Sequence, residues 1–100
     1  MKKRFIVSHN PGVPTQDEAF KAWLNTQEVA WWHWLVGTWL VVDPIGKLTL
    51  EKLRSEFMSA YPGVHCLVFE LLGPDNWLGF GPATPPKDMG DWLKKAWRQN

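Results

Sequence analysis

The residues able to do chemistry are few and widely spaced. His9 and Asn10 close the first apolar run, Phe5-Ile6-Val7, and lead into Pro11-Gly12. Strand-end loops often carry sites, because they present polar groups without breaking a ladder. Asn-Pro-Gly is also good turn chemistry, which needs no ligand to explain it. His33 lies inside Trp31-Trp32-His33-Trp34, and a side chain that titrates near neutrality suits a general base or a ligand-facing donor. The alternative is a histidine packed in a sheet with both ring nitrogens satisfied. Glu70 interrupts the apolar stretch Val64 to Leu72, and a carboxylate is expensive to bury unpaired. It is a metal ligand or acid, a partner of Lys or Arg, or an edge residue whose carboxylate reaches water. Cys66 is the single cysteine, so an internal disulfide and a cysteine-based zinc site are both excluded. It reads as a small core residue. The glycines of Gly79-Phe80-Gly81 follow neither the Walker nor the Rossmann spacing.

Eight tryptophans stand among 100 residues, and Trp31, Trp32, Trp34 and Trp39 fall close together. Three roles suit them. As core they supply about 150–250 Å² of buried surface each, and as interface anchors they suit a dimer. As platforms they stack nucleobases, worth about 1–3 kcal/mol per base. A small core does not readily hide all eight with every indole N–H satisfied, so some are expected at an interface or pocket. Trp32 and Trp34 are the stacking candidates, with His9, Asn10 and the basic chain ends meeting phosphate.

The elements that must position these residues follow from pattern. Lys3 to Ser8 is a short β-branched strand ending in turn chemistry. Thr15-Gln16-Asp17-Glu18 has the capping-box spacing, and Ala19, Phe20, Trp23 and Leu24 recur at helical spacing behind it. Val29 to Val42, broken at Gly37-Thr38, divides into two strands of a hairpin with Trp31, His33 and Leu35 on one face and Ala30, Trp32 and Trp34 on the other. Asp43-Pro44-Ile45-Gly46 ends it. Thr49 is an N-cap for a second helix carrying Leu50, Leu53 and Phe57 and stopping before Pro62-Gly63. Val64 to Leu72 reads as a strand covered on both faces. The order strand, helix, strand, strand, helix, strand predicts an α+β, ferredoxin-like βαββαβ domain over residues 1–82. Trp77-Leu78-Gly79-Phe80 adds a short extra strand. Residues 83–100 form a proline-rich link and an amphipathic C-terminal helix with Met89, Trp92, Leu93, Ala96 and Trp97 on its apolar side.

Bulk composition sets outer limits. The longest uncharged stretch, Val29 to Val42, is shorter than the roughly 20 residues that a membrane-spanning helix needs. Met1-Lys2-Lys3-Arg4 precedes too brief an apolar run for a secretory signal, so a cytoplasmic protein is expected. The net charge of +1 is unevenly spread: the first four residues carry three cations, residues 86–100 carry four cations against two carboxylates, and the residues between carry four cations against eight acidic groups. That is weaker than the concentrated positive face of a protein that grips phosphate backbones without regard to sequence.

Four stretches together, Val7-Ser8-His9-Asn10, the hairpin from Trp31 to Val41, Leu67-Val68-Phe69-Glu70 and Trp77-Leu78-Gly79-Phe80-Gly81, resemble the SinR-like proteins. These are small ferredoxin-fold relatives of the second core subunit of CRISPR spacer acquisition. The resemblance covers about residues 3–82, and the chain from Ala83 onward has no counterpart. It implies a homodimer in which two sheets meet and the short final strand crosses to the partner, in a nucleic-acid or phage-defence setting. In relatives described as metal-dependent nucleases the first strand ends in an aspartate that holds a divalent cation. Here that position is Asn10, whose amide brings no negative charge to a site type that leans on carboxylates. The expectation is therefore a dimeric protein that binds a nucleotide or nucleic acid through His9, Asn10, Trp32, His33 and Trp34, with no cofactor and no strong catalytic activity. The first rival is a magnesium- or manganese-dependent phosphodiesterase whose reduced-charge site combines Asn10 and Glu70 from two subunits. The second is an interaction subunit that docks through its tryptophan-rich surface.

Overall fold

A computed structural model describes residues 2–71 and 89–97 of the chain. Strand β1 (Lys3–His9) leads to helix α1 (Pro14–Asn25), the hairpin β2 (Ala30–Leu35) and β3 (Thr38–Asp43), helix α2 (Leu50–Ala60) and strand β4 (Cys66–Leu71). A last helical segment comprises α3 (Met89–Trp92) and a π-helical turn, Leu93–Trp97. The fold is α+β, with the four strands in the order β2-β3-β1-β4 and every neighbouring pair antiparallel. The extra strand at Trp77–Phe80 and the proline-rich link lie outside the described residues.

Alternation along the strands divides the apolar side chains between two faces. Phe5 and Val7 of β1, with Trp39 and Val41 of β3, pack against Phe20 and Leu24 of α1 and Leu53 and Phe57 of α2. These side chains are fully buried, and each such burial stabilises by about 1.5–3 kcal/mol. The opposite face carries Ile6, Ala30, Leu40 and Val42, and onto it Leu93 and Trp97 of the last helical segment are packed. Arg4 anchors that segment by donating from Nε to the Trp97 carbonyl. The tail helix thus covers its own sheet, on the face that the resemblance would give to a second subunit.

The local signals hold with two corrections. Helix α2 has Thr49 as its cap, its hydroxyl oxygen accepting from the Lys52 N–H at 3.1 Å. Asp43 is buried and gathers the next turn, accepting from Ile45 N–H at 3.0 Å and Leu48 N–H at 2.7 Å. Helix α1, however, starts one residue before the expected capping box: Val13 is the cap position, Pro14 occupies the first turn, and the side chain of Gln16 accepts from Val13 N–H at 2.8 Å. Proline there has its φ preset for a helix and no N–H to leave unpaired, so it outcompetes the Thr15 signal. Strand β4 begins at Cys66 rather than Val64 and, among the described residues, is covered on one face only. Cys66 and Val68 pack toward the helices, while Leu67 and Phe69, on the other side, are 65% and 48% exposed. Among the described residues β4 is an edge strand, and Glu70 is exposed on it.

Candidate functional site

Where β1 ends, the hairpin turns back beside it and α1 begins, which brings polar groups from five elements to one end of the sheet. His9 is the last residue of β1. Its amide donates to the Gly37 carbonyl at 2.8 Å, tying the strand end to the hairpin turn. The Trp39 indole N–H donates to His9 Nε2 at 3.0 Å. An indole can only donate, so Nε2 is the unprotonated nitrogen and the proton sits on Nδ1, which donates to the Asn10 carbonyl at 2.6 Å. Phe57 and Tyr61 flank the same ring at centroid distances of 4.7 and 4.8 Å.

His33 comes from β2 and lies flat on Trp39, with ring centroids 3.7 Å apart and planes 2° from parallel. Its Nδ1 is 2.8 Å from the Thr38 carbonyl, which only accepts, so Nδ1 carries the proton and Nε2 keeps its lone pair. Burial pushes the His33 pKa below its ordinary value; the Thr38 bond and the Asp17 charge oppose that shift, while His9 and Lys21 add to it. The ring is therefore neutral near pH 7. Its Nε2 faces Asp17 Oδ2 at 3.8 Å, beyond hydrogen-bond reach. The other Asp17 oxygen, Oδ1, accepts from the Tyr61 hydroxyl. Burial, then the bond and the charge of Asp17, hold that hydroxyl far above the usual tyrosine range, so Tyr61 stays protonated as a donor.

These groups border an open cleft of about 320 Å³, lined among others by His9, Asp17, Lys21, His33, Trp34 and Val36. A smaller one of about 250 Å³ adjoins it across His9 and includes Ser8, Asn10 and His65. A third, of about 400 Å³, lies between α2 and β4 beside Leu50, Arg54 and Cys66. Burial there pushes the Cys66 thiol pKa up, against the pull of Arg54, which keeps the thiol protonated and weakly nucleophilic.

Of the candidate residues, His9 and His33 share one cleft, Trp34 lines it from beside Trp32, the two indole rings being 5.7 Å apart, and Asn10 lines the neighbouring cleft. Trp32 does not join them. It is 1% exposed, its indole N–H has no partner, and alternation separates it from Trp31 and His33. A side chain so covered offers no face on which a base could stack. Asn10 and Glu70 do not meet within one chain either: Glu70 is opposite Phe5 and Asn10 opposite His65, five residues along β1 and roughly 16 Å apart. The two do not fit one metal ion inside a protomer, and among the described residues no three His, Cys, Asp or Glu side chains are grouped to hold one. No helix among the described residues is long and apolar enough to cross a membrane.

Asp17, Lys21, Trp39 and Tyr61 were not among the expected site residues. Asp17 had a sufficient explanation as a helix-start residue, and Tyr61 is 44 residues away in sequence from the carboxylate it contacts. Pairing across that distance leaves no local signature. No protein-family model, curated protein or solved structure matches the chain.

Proposed function

We propose that the chain is a small ferredoxin-like binding protein, related to the SinR-like proteins, which acts as a homodimer on a nucleotide or nucleic acid without strong catalytic activity. The reading is carried by the convergence of His9 and His33 on the 320 Å³ cleft, with Lys21 and the half-buried Trp34 lining the same cleft. Small-molecule sites combine apolar walls with a few converging polar groups. Here Trp34, Leu35 and Val36 supply the apolar rim and His33, Asp17 and Lys21 the polar groups. Stacking of a base on an aromatic side chain is sequence-tolerant, and the Lys21 ammonium, paired with Glu18 at 3.0 Å, keeps further N–H donors that suit a phosphate. The strand order β2-β3-β1-β4, antiparallel throughout, supports the ferredoxin-like assignment. For the dimer, exposed Leu67 and Phe69 on β4 offer apolar surface beside the tail helix.

Calorimetry of the full chain against nucleoside monophosphates, cyclic dinucleotides and short single strands tests the reading. Saturable binding is expected, weakened at least about tenfold in Trp34→Ala through loss of stacking worth about 1–3 kcal/mol. No heat across the whole panel overturns it.

A further inference from the structure

The polar groups facing the cleft are unusual in kind, because two neighbouring ones are both acceptors. Nε2 of His33 keeps its lone pair because the ring proton is committed to the Thr38 carbonyl. Asp17 Oδ2 lies 3.8 Å away, while Oδ1 is committed to the Tyr61 hydroxyl. Neither can donate to the other. The His33 side chain is 9% exposed and that of Asp17 32%, so water reaches the carboxylate more freely than the ring. A ligand that pairs with both supplies two donor hydrogens, and a planar base that does so carries two adjacent N–H groups along one edge.

We infer that this pair of acceptors, fixed by Thr38 and Tyr61, selects a guanine base, whose N1–H and exocyclic N2–H₂ are adjacent donors. The inference rests on the nucleotide reading and names its base. Adenine presents a donor beside an acceptor, and uracil a lone donor between acceptors; hypoxanthine keeps N1–H and lacks the amino group. Each of these leaves His33 or Asp17 facing a mismatched or missing partner, and an unpaired buried polar group is costly. A guanidinium ion offers the same donor pair. Lys21 lines the same cleft with its ammonium 3.0 Å from Glu18 Oε2, and its further N–H donors complement the acceptor O6 or a phosphate of a guanine nucleotide, for which guanidinium has no counterpart, so the base is the better match.

The test is calorimetry on the full chain at pH 7.5 with the 5′-monophosphates of guanosine, inosine, adenosine and cytidine, and with methylguanidinium. Guanosine monophosphate is expected to bind at least about tenfold more tightly than the adenosine and cytidine forms, since a bidentate base contact gives about 1–3 kcal/mol of discrimination. Inosine monophosphate should fall between. Asp17→Asn keeps an oxygen for Tyr61 and turns the cleft-facing atom into a donor, so the preference for guanosine over adenosine should shrink to less than about threefold. Binding of all four nucleotides with equal affinity overturns the base assignment and leaves the nucleotide reading standing. Methylguanidinium binding as tightly as guanosine monophosphate also overturns the base assignment. Failure of all four monophosphates to bind overturns the base assignment, and failure of the cyclic dinucleotides and single strands as well overturns both.

Discussion

Trp39 and Trp32 are both fully buried indoles, yet their N–H groups have opposite fates. That of Trp39 donates to His9 at 3.0 Å, whereas that of Trp32 has no partner. Replacing either by phenylalanine removes comparable packing, but only Trp39→Phe takes the donor from an acceptor, the half-buried His9 ring. Losing such a bond costs about 0.5–1.5 kcal/mol, so chemical denaturation should show Trp39→Phe to be more destabilising than Trp32→Phe by about that amount. Equal losses would mean that the His9 bond contributes nothing net. His33 gives a second prediction at this scale. Its folded pKa is depressed below the ordinary histidine value of 6.5, first by burial, so between the two values the unfolded chain binds more protons and stability rises with pH. The contribution is complete above about pH 6.5 and is lost as pH falls toward the folded pKa. Urea midpoints measured from pH 5 to 8 should rise with pH more steeply in the wild type than in His33→Gln; identical slopes would show that His33 is not the group responsible.

The hairpin is the element on which the site depends. Its turn has Gly37 at φ +79°, a left-handed conformation that other residues adopt at a cost of roughly 1–2 kcal/mol. A Cβ at Gly37 would also lie 2.4 Å from the His9 carbonyl oxygen, so the hairpin and the strand end could not both keep their places. Gly63 has a similar φ of +81° with nothing near its Cβ position. Gly63→Ala is therefore expected to lose only the conformational contribution, and Gly37→Ala to lose more and to move the His9 ring signals in an NMR spectrum. Equal losses, with His9 unmoved, would contradict the close packing of turn against strand. The hairpin turn was legible because glycine marks it. Glu28, with φ +56° in the connection between α1 and β2, was not, since nothing in its residue type announces a left-handed backbone.

Among the described residues the sheet is covered on one face by the helices α1 and α2 and on the other, over β1, β2 and β3, by the tail helix. Trp97 is the largest side chain that the tail buries there, and Trp97→Ala should cost about 3–5 kcal/mol as a large-to-small core substitution. It should also expose Ile6, Leu40 and Val42, read as new binding of a hydrophobic dye. If stability is unchanged, the tail is not part of the folded core. The covering of this face also bears on assembly. Two sheets could meet face to face only beside or in place of this helix, where, among the described residues, Leu67 and Phe69 of β4 are exposed.

Hydrophobic periodicity and turn chemistry act over a few residues, so the sequence by itself determined the number and order of β1 to β4, the helices α1 and α2, the Thr49 cap and the apolar side of the tail. His9, Asn10, His33 and Trp34 were legible as candidates from residue type and their places at a strand end and in a hairpin. Which tryptophans face a cleft, which nitrogen of each histidine carries the proton, and that Asp17 and Tyr61 join the site were decided by tertiary structure alone. The reason is that such pairings join residues such as His9 and Trp39, 30 apart, or Asp17 and Tyr61, 44 apart. Their contacts arise only when the sheet closes and the helices dock, so no window along the chain contains both partners.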